Sequence, residues 1–415
     1  MKGADQTPAY SPDGKLLAFL SQARAQFESD RFRLMVRDRQ TGATRELPKG
    51  YDQSIGEYAW LAGGDLLAVV EERQRHEILH ITPEGDVHHV FREDSLNPGQ
   101  MSVGKDGQTP VIAFVADDIA NPGNVYVWRV DHLRPTPPVA VTRLNARTLP
   151  SLAMRPAEEV KWKGADGDTV YGLLVKPPQF QEGRKYPLLL LMHGGPQGAW
   201  LDNFSSRWNA ELFAAPGYVV FMPNPRGSTG FGQKFLDQIS RDWGGRVVTD
   251  IMTGVDMVAK LPYVDSTRMA AAGGSYGGYM MNWFNGHTTR FKTLINHAGV
   301  YNLEAMYGST EELWFVEWDL GGAYWANRTD YEKWSPHRFA GQFKTPMLVI
   351  HGEQDFRVPY TEGLQAYTAL RRQGVAGRLL VFPDEGHWIS RPQNQLKWWG
   401  EVQGWLEKYL NPPIP

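Results

Sequence analysis

The sequence predicts two kinds of structure in one chain: an all-β region over residues 1–150, then a doubly wound α/β region over residues 151–415. Three observations lead there. From Lys185 onward, short and nearly continuous apolar runs alternate with amphipathic stretches, the pattern of parallel strands buried on both faces and joined by helices. Before Leu149, turn signals recur about every 45 to 50 residues, each followed by an apolar strand, a period that fits repeated multi-stranded units. The length of 415 residues also exceeds what one ordinary core organises.

In the first region, "YSPDGKLLAFLS" turns at Pro12-Asp13-Gly14, "WLAGGDLLAVVEE" at Gly63-Gly64 and "VGKDGQTPVIAFVAD" at Asp106-Gly107. Each is followed by a second strand: "FRLMVRD", "EILHITP" and "NVYVWRVD". These are about three blades of a β-propeller, fewer than the roughly four that closure needs. A partial propeller leaves open strand edges, which invite pairing with another chain, so a homo-oligomer is expected.

The second region opens with the hairpin "EEVKWKGADGDTVYGLLVKP", turning at Asp166-Gly167. The strands that follow are read in "KYPLLLLMHGG", "GYVVFMPNPRG", "RMAAAGGS", "FKTLINHAG", "TPMLVIHGEQD" and "GRLLVFPDEGH". Helices are read in "VVTDIMTGVDMVAKL", "YGGYMMNWFNGH", "YTEGLQAYTALRRQG" and "NQLKWWGEVQGWLEKYL". Such a sheet places active groups at the carboxyl ends of its strands.

Composition narrows the chemistry. A formal net charge of −3 argues against nucleic acid or an anionic membrane as the main partner. The absence of cysteine removes disulfides, thiolate metal sites and a cysteine nucleophile. No apolar run approaches the roughly 20 residues of a membrane span, and the N-terminus lacks the apolar core of a signal peptide. A soluble, cytoplasmic protein is expected from the chain as it stands, periplasmic or secreted if a signal precedes Met1. Fifteen tryptophans supply candidates to line a binding surface.

Gly273-Gly274-Ser275-Tyr276-Gly277 fits G-x-S-x-G, with a strand before it and a helix after it, the context of a nucleophile elbow in an α/β-hydrolase fold. The turn is tight enough to strain the serine backbone and to need glycine on both sides. It lifts the hydroxyl clear of the sheet at the positive end of a helix dipole. A serine hydroxyl needs a base held by a third group, and on this fold the chain order is Ser, then Asp or Glu, then His. "GEQDFRVP" offers Asp355, with Glu353 as fallback; "FPDEGHWI" offers His387, 32 residues after the aspartate. His351 lies inside a strand and reads as structural; Asp384 shares the His387 loop and reads as a loop cap. The oxyanion donors expected are the backbone N–H groups of Gly195, with Gly194 as alternative, in "MHGGPQG", and of Tyr276.

"HEILH", His76 to His80, matches the H-E-x-x-H zinc-protease signature. That motif needs a helix, whereas "EILHIT" alternates like a strand and meets Pro83 and Gly85 at once. No metal and no other cofactor is expected.

"HGGP", "NPRGSTGFG", "GGSYGGYM", "GEQDFRVP" and "FPDEGHWI", in this order, resemble the catalytic domain of the prolyl oligopeptidase family, in its acylaminoacyl-peptidase and dipeptidyl-peptidase 5 branch. "MYGSTEELWFVEWDLGG" adds to the second likeness, and the match spans about Val160 to Tyr409. The resemblance implies an α/β-hydrolase domain beneath an N-terminal propeller, cleaving short peptides and also esters or amides through an acyl-serine without cofactor. It implies Ser275, Asp355 and His387 as the triad, Gly195 and Tyr276 as the oxyanion positions, and Tyr276, Val300 and Val358 around the side chain before the scissile bond. Arg226 in "NPRGS" reads as a loop-holder. Glu71 and Glu72 are candidates to bind a free substrate amine. Family propellers have seven or eight blades against about three here, and a truncated cap would relax peptide-length selection and favour simple esters. Two rival readings stand beside this one: a carboxylesterase with little peptidase activity, and a non-catalytic propeller-type binding protein.

Overall fold

Hydrophobic alternation organises the N-terminal part. A computed structural model describes residues 3–91, 96–107, 109–129 and 137–410. Its first twelve strands are β1 (Asp5–Tyr10), β2 (Leu16–Ser21), β3 (Arg33–Asp38), β4 (Thr44–Glu46), β5 (Ile55–Trp60), β6 (Leu66–Glu72), β7 (Arg75–Ile81), β8 (Val87–Phe91), β9 (Asn97–Asp106), β10 (Thr109–Asp118), β11 (Asn121–Arg129) and β12 (Val139–Ala140). They form three four-stranded antiparallel sheets, β1–β4, β5–β8 and β9–β12, each in sequence order. This is the meander of a propeller blade, and the expected all-β region of about three units is what the chain forms. The strand read in "NVYVWRVD" is β11 up to Arg129; Val130 and Asp131 lie outside the described residues.

The middle sheet buries both faces, and β6 shows why. Its Leu66, Ala68 and Val70 pack with Ala18, Leu20, Leu34 and Val36 of the first sheet. The intervening Leu67 and Val69 pack with Ile112, Phe114 and Trp128 of the third. Successive strand side chains point to opposite faces, so a continuous apolar run is what a strand held between two sheets requires. The outer strands β1 and β4 consist mostly of exposed residues and carry no such run, so no sequence pattern marks them.

The chain divides into two compact units, one of Met1–Pro156 with Leu201–Phe204 and Thr229–Lys234, the other of Ala157–Trp200, Ser205–Ser228 and Phe235–Pro415. The second unit holds β13 (Glu158–Lys163), β14 (Thr169–Val175), β15 (Tyr186–Met192), β16 (Val219–Asn224), β17 (Val264–Gly274), β18 (Thr293–His297), β19 (Met347–Gly352) and β20 (Gly377–Phe382). They make one eight-stranded sheet in the order β13-β14-β16-β15-β17-β18-β19-β20. β14 runs antiparallel to both neighbours, and the pairings from β16 to β20 are all parallel. Every residue of β15 and β19 is buried, as strands covered by helices on both faces must be. The four predicted helices are present as Arg246–Val258, Tyr276–His287, Thr361–Arg372 and Pro392–Leu410.

Shorter helices such as Ala210–Ala214, Leu303–Tyr307 and Leu313–Leu320 were not predicted. One or two turns are too short to show a helical period and are marginal on their own. Tertiary packing and caps hold them: Asn302 accepts from the N–H groups of Glu304 and Ala305, and Asn209 from that of Leu212.

No helix among the described residues is long and apolar enough to cross a membrane.

Candidate active site

β17 and the helix that follows it set the position of Ser275. β17 ends at Gly274, the helix begins at Tyr276, and Ser275 between them has φ 59° and ψ −122°. A non-glycine residue at positive φ is a strained turn that its surroundings must hold. The Ser275 N–H donates to the His297 carbonyl at 2.9 Å, the Tyr279 N–H donates to the Ser275 carbonyl at 2.9 Å, and the hydroxyl does not cap the helix. The flanking glycines have a steric cause. A Cβ at Gly273 would run into the Gly277 carbonyl, and one at Gly277 into the Met192 carbonyl of β15.

The loops after β19 and β20 bring two further residues together. Nδ1 of His387 lies 2.7 Å from Oδ2 of Asp355. The other carboxylate oxygen of Asp355 accepts from the N–H groups of Arg357 and Val358 at 3.0 and 2.9 Å. Asp355 is 2% exposed; burial alone would raise its pKa, but the imidazoles of His351 and His387 outweigh it and hold the carboxyl well below the usual range. Glu353 is exposed, and Asp384 accepts from Asn394 of the C-terminal helix and pairs with Arg391 just before it. His351 is buried against Asp355 and sits 2.7 Å from the Val358 carbonyl, closer than its 3.4 Å to the carboxylate, so its N–H belongs to the carbonyl. Nε2 of His387 is buried and has no hydrogen-bond partner among the described residues.

His297, which no sequence motif marks, stands between the two halves of the site. Its carbonyl accepts from Ser275, and its Nε2 lies 3.4 Å from the His387 carbonyl. Trp398 Nε1–H donates to His297 Nδ1 at 3.0 Å, so the ring proton sits on Nε2. Burial first, then the neighbouring His387 and His351, push the His297 pKa down to about 3, which keeps the ring neutral. Nothing in the sequence marks it except its position at the end of β18.

A cavity of about 250 Å³ opens beside Ser275, lined among others by His193, Gly194, Gly195, Arg207, Trp208 and Trp388. Gly194 packs directly on Ser275, where a Cβ would stand 3.1 Å from the serine Cβ. Burial lowers the His193 pKa to about 4, so this ring is neutral too. The loop is tied down from an unforeseen direction. The carboxylate of Asp319, 1% exposed, accepts from Gln197 Nε2, Ser240 Oγ and Trp243 Nε1 at 3.0, 2.9 and 3.0 Å. Tyr276 opens a helix, where the first N–H groups lack intrahelical partners.

Tyr276, Val300 and Val358 belong to one hydrophobic cluster, each 2% exposed. The Tyr276 hydroxyl donates to the Trp243 carbonyl at 2.6 Å, and none of the three borders the cavity. Arg226 is a loop-holder: its buried guanidinium bonds the buried Asp250 carboxylate at 2.7 and 3.0 Å and the Ala165 carbonyl at 2.9 Å.

The remaining candidates lie in the N-terminal unit. Glu71 and Glu72 end β6; Thr229 donates to Glu71 and Tyr51 to Glu72. His76 and His80 lie on β7, paired with β6. Four residues along a strand span about 13 Å, too far for both to ligate one ion. Glu72, Glu77 and His89 offer ligand atoms within 4.8 Å of one another, but His89 already bonds Glu77 at 2.6 Å.

Comparison with known proteins agrees with this architecture. The model of the prolyl oligopeptidase family matches residues 203–413. A dipeptidyl-peptidase 5 of Schizosaccharomyces pombe is 35% identical over 98% of this chain and 59% of its own length. That of Porphyromonas gingivalis is 37% identical over 99% of this chain and 60% of its own. The chain thus spans about 60% of the length of these curated relatives. Among solved structures, an acylaminoacyl peptidase in complex with Z-Gly-Gly-Phe-chloromethyl ketone superposes with a TM-score of 0.84 at 23% identity, over 96% of this chain and 62% of that one. A Mycobacterium tuberculosis puromycin-hydrolyzing peptidase gives 0.81 at 20% identity, over 99% and 70%.

Proposed function

Because the chain belongs to the prolyl oligopeptidase family, we propose that it is a serine hydrolase that cleaves short peptides, and esters besides, through an acyl-serine intermediate on Ser275. His387 takes the Ser275 proton through its free Nε2 and then delivers it to the leaving group. Asp355 fixes the tautomer by accepting from Nδ1 and stabilises the imidazolium that forms. The backbone N–H groups of Gly195 and Tyr276 receive the oxyanion. Water, activated by the same histidine, releases the acyl group. Tyr276, Val300 and Val358 form the apolar floor under the side chain before the scissile bond. The relatives' names favour release of dipeptides, with Glu71 and Glu72 as binders of the free amine. The exposed strand β1 supports self-association through a sheet edge, which sedimentation would read.

The observation that carries this reading is the buried Asp355–His387 pair at 2.7 Å, with Nε2 unpartnered among the described residues, in the same unit as a serine strained in the turn after β17. A fluorophosphonate probe is expected to label the protein, and Ser275→Ala to abolish labelling and lower turnover about 10⁶-fold while the circular dichroism spectrum is kept. A panel of dipeptidyl amides, N-acyl-aminoacyl amides and p-nitrophenyl esters assigns the acyl preference. Turnover retained in Ser275→Ala would reject the serine mechanism, and turnover of esters alone would make the protein a carboxylesterase.

A further inference from the structure

Arg207 is an arginine without an acid. Among the described residues no carboxylate lies within ion-pair distance of this exposed side chain, although about half of the described arginines have one. Its guanidinium carbon stands 4.1 Å from the centre of the Trp388 ring, and that ring meets the His387 ring edge to face at 4.7 Å. Arg207 also lines the cavity beside Ser275. Within that lining it is the one side chain charged at neutral pH, since burial keeps His193 neutral. The rest is glycine, tryptophan, small side chains and Met192. The cavity is therefore a positive pocket with aromatic walls and no internal counter-ion.

The side of the scissile bond it serves follows from the proton path. The histidine that protonates the leaving amine must face that amine. This cavity joins Ser275 to the residue after His387 and excludes Tyr276, Val300 and Val358, the acyl-side candidates. Resting on the serine hydrolase reading above, we propose that this cavity is the leaving-group subsite and that Arg207 binds the free α-carboxylate of the departing amino acid or short peptide. A guanidinium presents forked N–H donors that match a carboxylate, and stacking on Trp388 holds the fork in place while leaving its edge open. The tryptophan walls suit an apolar side chain on the departing residue.

The test uses the full chain and the acyl group that the panel finds best, joined to a leaving alanine with either a free carboxylate or an amide. The wild type is expected to favour the free acid by about five- to twentyfold in kcat/KM, mostly through KM, with the ratio shrinking in high salt. Arg207→Gln should bring the ratio to near one, and Arg207→Lys should restore part of it. Fluorophosphonate titration counts active sites in every preparation, so a ratio measures only enzyme that has folded. A wild-type ratio near one, or a ratio that Arg207→Gln leaves intact, overturns the assignment of Arg207 and leaves the hydrolase reading standing. Neither labelling nor cleavage overturns both.

Discussion

Asp355 shows how a single side chain is chosen by its surroundings. Two carboxylates follow β19, and chain order fits either. Asp355 is buried with its oxygens shared among two backbone N–H groups and His387, while Glu353 faces solvent. Asp355→Asn should lower kcat about 10⁴-fold with KM little changed, because an amide no longer selects the productive tautomer; Glu353→Gln should leave the pH–rate profile unaltered. Asp319 is the complementary case, a residue far along the chain that anchors Gln197 in the loop after β15. Asp319→Asn should lower kcat about 10²-fold by letting that loop drift, and stronger expression of the defect for esters with poor leaving groups would show the fault to lie in the chemical step. Neither Asp319 nor His297 was legible beforehand, since each works through partners that only folding brings near.

At the scale of elements, the strand-turn-helix around Ser275 was readable because sterics write it into local sequence. The Gly277 position faces the Met192 carbonyl, so Gly277→Ala must push the helix away from β15. The expected result is loss of fluorophosphonate labelling together with a lower Tm; a labelled, fully stable variant would mean that the elbow tolerates a Cβ. The central strands were equally readable, as apolar runs with a length limit. The outer strands and the one- and two-turn helices were not. Their stability comes from neighbours and caps rather than from a repeating pattern of their own.

Across the molecule, buried acids couple stability to pH in opposite senses. Glu362 accepts from the N–H groups of Tyr301 and Asn302 at 2.8 and 2.6 Å, and burial pushes its pKa up to about 7. The folded state therefore holds a proton that the unfolded state has released. This contribution is full below the ordinary glutamate range and is lost as pH rises through about 7. Asp355 has the reverse sign: its folded pKa is depressed, so its contribution is present above the ordinary aspartate range and is lost as pH falls below it. Glu362→Gln keeps an oxygen acceptor without the charge. Its Tm relative to wild type should rise between pH 5 and pH 8, and a difference independent of pH would show that Glu362 does not titrate in this window.

The sequence by itself determined the two classes of structure and the strand, turn and helix around Ser275, because periodicity and turn sterics act between residues close in the chain. Only the tertiary structure decided which acid is buried beside His387, that Asp319 holds the loop after β15, and that Arg207 stacks on Trp388 at the mouth of a cavity. Those outcomes depend on burial and on contacts between segments from about 30 to more than 100 residues apart. Desolvation and hydrogen-bond geometry are properties of the packed molecule, and no local pattern encodes them.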